Sequence, residues 1–307
     1  MGKAKHQRTE NFKKVNYIIP TLLLVLVVGC NQQKRSADLK AHLTVSSLTA
    51  LVQMPSDELK QLDIAQMNLL CAKGLLGAEH LDVTGSLAAI DQIATRARLE
   101  TERHVYRFQR NPAEYENSEG FFRMMMLMVV IAEDFHVQYA PNKMVNSANA
   151  KMGDGFFADS QDVFLHGLTG VKHQGTCSSL PVLYVAVGRR LGYPLKLVTT
   201  KGHLFVRWED AKERFNFEAA GNGANRFSDD YYRHWPMEVS EAEIQADGHL
   251  KSLTPAEELA VFLSIRGMCQ AEAGHYTDAV ESFGQAAKFA PECKSYEAMR
   301  SRMNEFR

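Results

Sequence analysis

The sequence predicts an α+β fold in which one buried helix packs on antiparallel strands, with further helices on both sides. Three observations predict it. The run Leu180 to Leu191 is apolar around almost its whole circumference, three short β-prone stretches follow it closely, and helical periodicity recurs before and after. At 307 residues, 45% of them hydrophobic, the chain can bury a proper core as one large or two modest domains. The expected organisation is a leader over 1–29, a tether over 30–52, a helical region over 53–150, the central helix and strands within 151–250, and terminal helices over 251–307.

From the amino terminus, Lys3, Lys5, Arg8, Lys13 and Lys14 precede the apolar stretch Ile18 to Val28. That stretch is shorter than the roughly 20 residues a spanning helix needs, and the arrangement is that of a secretory signal. Lys34 to about Leu51 is polar and mixed, as a tether would be. Asp57 to Lys73 and Ser86 to Phe108 have amphipathic helical spacing, and Gly77, Gly85 and Pro112 punctuate them. Ser118 to Phe135 reads as a further helix, whose Met124, Met125, Met126 and Met128 suit core filling. Asp159, Asp162 and His166 precede the central helix closely, the two aspartates in positions for caps or loops.

Pro181 lacks a backbone N–H and is tolerated in a helix's first turn, so the central helix is expected to begin near Ser178 with Cys177 at or beside its cap. Unpaired N–H groups there favour thiolate over thiol and could receive an oxyanion. Gly192 and Pro194 stop the helix. Leu195 to Thr200, His203 to Trp208 and Arg214 to Glu218 read as strands, the last two forming a hairpin. Alternation places His203, Phe205 and Arg207 on one side, and Asn216 and Glu218 on one side of the adjacent strand.

A thiol near a helix start, a histidine on one strand and an acid on the next form a Cys-His-acid constellation. The imidazole takes the thiol proton, the acid fixes its tautomer, and amides near the thiol stabilise the attacked carbonyl. The expected members are Cys177, His203 and Glu218, with Asn216 the alternative third group and His173 and Gln174 as cleft-lining candidates. No metal-ligand spacing and no cofactor motif is present in the sequence, so neither is expected. A net charge of -1 gives no electrostatic footprint for nucleic acid. Cys71, Cys269 and Cys293 lie outside the constellation, and an oxidising compartment would permit one disulfide among them. The segment Asp229 to Pro236 concentrates aromatic residues, either as a substrate wall or, more in keeping with aromatic clusters, as packing on the sheet.

The runs Gly175 to Tyr184, Arg189 to Pro194, Gly202 to Arg207 and Asn216 to Ala219 together resemble the bacterial transglutaminase-like superfamily, over about Phe156 to Gly223. The resemblance is to the branch in which that domain is followed by tetratricopeptide helices. It implies a papain-like core with Cys177 as nucleophile and His203 as base. The superfamily's third residue is usually aspartate, whereas this chain offers Glu218 or Asn216. Gly267, Gly274, Tyr276, Ala279, Phe283, Ala286 and Pro291 match one tetratricopeptide repeat in register, a surface for a protein partner. Val27-Val28-Gly29-Cys30 resembles a lipobox, which implies cleavage before Cys30, lipid on its sulfur and a membrane-anchored lipoprotein. Asn31 in place of aspartate favours the outer over the inner membrane in a Gram-negative cell. The implied activity is acyl transfer or hydrolysis at amide or ester carbonyls of envelope proteins or peptides. The alternative is a non-catalytic envelope scaffold that keeps the same fold.

Overall fold

A computed structural model describes residues 45–144, 155–220 and 225–307. The leader, the Cys30 lipid site and most of the tether lie outside the described residues. The end of the expected tether does not behave as one: Val45 and Leu51 are buried in the core, and the Gln66 side-chain amide donates to the Val45 carbonyl at 2.8 Å. Ser47 caps helix α1 (Leu48–Gln53). A mixed tract can dock when its apolar residues meet the core, as Val45, Leu48, Leu51 and Val52 do here.

The stretch expected as one helix over Asp57 to Lys73 is split. A 3-10 turn at Leu59–Gln61 precedes α2 (Ile64–Ala72), which starts where Asp63 caps the Ala65 amide. Every residue of α2 is buried, so it is a core helix rather than the amphipathic one its spacing predicts. The long α3 (Val83–Arg110) is amphipathic, and α4 (Glu119–Val129) runs on into a widened π turn at Val130–Asp134. Met124 is fully buried in the core and Met125, Met126 and Met128 pack against it, as core filling requires.

Strand β1 (Gln138–Tyr139) pairs in parallel with β2 (Gln174–Gly175), across the short helices α5 (Ser160–Val163) and α6 (Leu165–Thr169). Helix α7 (Leu180–Arg190) is buried from Leu180 to Gly188 and packs against α2, α3, α6 and the main sheet. That sheet is antiparallel, in the order β3 (Leu195–Thr200), β4 (His203–Glu209), β5 (Arg214–Phe217). Thr200 pairs with His203 across a two-residue turn, where Gly202 supplies a φ of 73°. Asp210 shapes the next turn by accepting the Lys212 and Glu213 amides.

The two sheet faces pack separately. Leu197, Val206 and Phe217 join the main core with α7. Val198 and Phe205 face the other way, onto Tyr232 of α8 (Asp229–His234). The aromatic segment therefore packs on the sheet. Helices α9 (Glu241–Asp247), α10 (Pro255–Glu272), α11 (Tyr276–Phe289) and α12 (Lys294–Asn304) follow. Leu259, Phe262 and Leu263 of α10 share the main core with α2. No helix among the described residues is long and apolar enough to cross a membrane.

Candidate active site

The turn before α7 is built by side chains that replace a regular helix start. Thr176 is fully buried, and its hydroxyl donates to the Asp162 carbonyl at 3.0 Å, which also accepts from the Ser179 hydroxyl at 3.1 Å. The Ser179 hydroxyl in turn accepts the Thr176 amide, and the Thr176 carbonyl takes the amides of both Ser179 and Leu180. The Thr176 hydroxyl also accepts the Ser178 amide, and Pro181 has no amide to give, so regular helix begins at Leu180, two residues past Ser178. Cys177 sits half-buried in the turn that leads into it.

Asp162 is itself buried, with its carboxylate between the ammonium groups of Lys143 and Lys172, while Asp159 caps the Gln161 amide. The two aspartates therefore hold the turn. His166 bonds Ser160 at 3.2 Å and belongs to the same support.

His203 opens β4 and Glu218 follows β5, and the sheet register brings them together. His203 Nε2 and Glu218 Oε2 are 2.9 Å apart, and both residues are buried. Glu218 Oε1 accepts the Ala220 amide at 2.8 Å, and Oε2 also accepts the Tyr232 hydroxyl at 3.0 Å. The Trp235 ring stands edge-on to His203 at 4.7 Å. Cys177 lies near enough to the imidazole to raise its pKa, and with Nε2 engaged by Glu218 the nitrogen left to face the thiol is Nδ1. Burial disfavours the charged ring, yet the interactions with Cys177 and Glu218 outweigh it and hold the His203 pKa up at about 10.

The remaining candidates fall elsewhere. Asn216 does not orient His203: its amide oxygen accepts from Arg207 at 2.7 Å, and its nitrogen donates to the Phe227 carbonyl and to Asp229. It shares a strand side with Glu218, but buried Arg207, paired across the ladder, claims it first. His173 and Gln174 serve the β1–β2 pairing, His173 with a left-handed φ of 48° and its carbonyl accepting the Gln138 amide. Neither lines the cleft beside His203, a cavity of about 370 Å3 bounded by the β3–β4 turn, α9, α10 and the start of α12.

Two tyrosines escape a reading of the sequence. Tyr232 lies in the aromatic segment, but nothing in its spacing announces a bond to Glu218. Tyr139 reaches the site from β1: its hydroxyl donates to the Lys143 carbonyl at 3.4 Å, and burial together with the neighbouring Cys177 raises its pKa. The other described cysteines are free, and burial pushes the thiols of Cys71 and Cys269 up to about 12 and that of Cys293 up to about 11. Among the described residues no group of three or more His, Cys, Asp and Glu side chains is arranged to hold a metal ion. Compared with family models and with curated proteins, the sequence matches none of either.

Proposed function

We propose that this chain is a cysteine enzyme of transglutaminase-like, papain-like design that attacks amide or ester carbonyls through a Cys177 acyl-enzyme. The observation that carries the reading is the buried His203–Glu218 contact of 2.9 Å with the Cys177 thiol against the same imidazole. His203 takes the thiol proton, and Glu218 fixes the ring so that Nδ1 faces the sulfur. The thiolate adds to the carbonyl carbon. The imidazolium then gives its proton to the leaving amine or alcohol, and water or an amine releases the acyl group by the reverse sequence.

Export on a lipidated Cys30 would set the enzyme at the cell envelope, with proteins or peptides there as substrates. The C-terminal helices, in the tetratricopeptide reading, would add a partner surface.

Mass-resolved labelling of the intact protein with iodoacetamide tests the chemistry. Cys177 is expected to label far ahead of Cys71, Cys269 and Cys293, and His203→Ala to slow it roughly 100-fold. Labelling of Cys177 no faster than that of Cys71, or indifferent to His203, would favour a scaffold over an enzyme.

A further inference from the structure

The cleft beside His203 has no role in the steps above. It is lined by Ser178, next in the chain to Cys177, and by His203 itself, so what fills it reaches the imidazole. His203 is among its lining residues and Cys177 is not, so it opens on the histidine rather than on the thiol. In the proposed reaction His203 protonates the departing amine, so the amine side of the substrate must rest against this ring.

The lining shows what that portion should be. Its polar groups already have partners: Lys201 with Glu243 at 2.5 Å, Asp247 with the amide and hydroxyl of Ser295, and His249 with Thr199 at 3.3 Å. Its apolar lining is partly open. Phe156 and Phe157 pack edge to face at 4.9 Å and stay half-buried, and they share the lining with the buried Val261 and Ile265 of α10. A ligand gains little by competing for satisfied ion pairs and much by covering the apolar wall.

We infer that this cleft is the amine-side subsite of the enzyme and takes a branched aliphatic or aromatic side chain on the residue whose nitrogen leaves or attacks. The inference rests on the acyl-enzyme reading. It also makes the C-terminal helices part of the substrate cleft, since α10 supplies one of its walls.

Aminolysis of a preformed acyl-enzyme tests it without knowledge of the natural acyl group. The full chain is loaded with 4-nitrophenyl acetate, which transfers acetyl to Cys177 and releases 4-nitrophenolate. Amino acid amides are then added at equal concentration, and the acetylated products are measured by mass. In each turnover the amine nitrogen bonds the thioester carbon, its proton passes to His203, the C–S bond breaks, and the proton returns to sulfur.

Leucinamide and phenylalaninamide are expected to intercept the acyl-enzyme about 10- to 100-fold better than glycinamide or aspartic acid amide. Phe157→Ala should bring these rates toward that of glycinamide. Acetylation of Cys177 without any preference among the amines would overturn the subsite alone. Failure of Cys177 to acetylate at all would overturn the nucleophile reading, and the subsite with it.

Discussion

Cys177 and Glu218 together decide the protonation of His203. A buried imidazole with no partner would titrate below its ordinary value, because burial penalises charge; here the interactions with Cys177 and Glu218 reverse the sign and lift it to about 10. The raised folded-state pKa contributes stability that is complete below the unfolded value of about 6.5 and is lost as pH rises through about 10. Glu218→Gln keeps the shape and removes the charge, so the ring should titrate at lower pH. The stability gap between the two proteins in urea should be largest below pH 6.5 and should narrow through pH 10. A gap independent of pH would show that Glu218 acts only as packing. His203 and Glu218 are legible in the sequence because one opens β4 and the other directly follows β5, where strand alternation still fixes their faces. The Tyr232 hydroxyl is not, since its bond depends on where α8 lands on the sheet, beyond any periodicity.

Among elements, the sheet is the most legible, since β3, β4 and β5 are short, rich in β-branched and aromatic residues, and separated by strong turn formers. The start of α7 is less so, because Thr176 and Ser179 redirect amides that a plain helix would have left free. The end of α7 carries a bond that spacing could not indicate. By position Arg189 is an ordinary C-terminal cation, but its guanidinium grips Glu258 of α10 in two bonds of 2.5 and 3.0 Å. The Glu258 side chain is wholly buried, and burial raises its pKa despite Arg189. Arg189→Met leaves that carboxyl without its partner. Removing one member of such a pair costs about 3 kcal/mol, at the low end of the buried range because Arg189 is 32% exposed. Adding Glu258→Leu should recover most of the loss, which urea midpoints of the two variants would read. Equal instability of the single and double variants would mean that the site tolerates neither change.

The same bond bears on the molecule as a whole. A terminal helical hairpin matching one repeat could have been an appendage, yet α10 inserts Leu259, Phe262 and Leu263 into the core shared with Ile64, Met67 and Leu70 of α2. Arg266 extends this seam by donating to the carbonyls of Cys71 and Lys73. Gly267 in turn lets Phe283 of α11 close on α10, since a Cβ there would stand 2.9 Å from the ring. The hairpin thus lacks a core of its own large enough to fold apart, and the unit from His42 to Arg307 should unfold as one. Far-UV circular dichroism, which reports the helices, and fluorescence of Trp208 and Trp235, which reports the sheet and the candidate site, are expected to give coincident urea transitions. A chain ending before Pro255 should lose both signals, because α2 would then expose the apolar face that α10 covers. Two separated transitions, or a truncated chain that keeps its sheet, would instead make the hairpin an independent module and leave the cleft beside His203 to be completed only when the two parts dock.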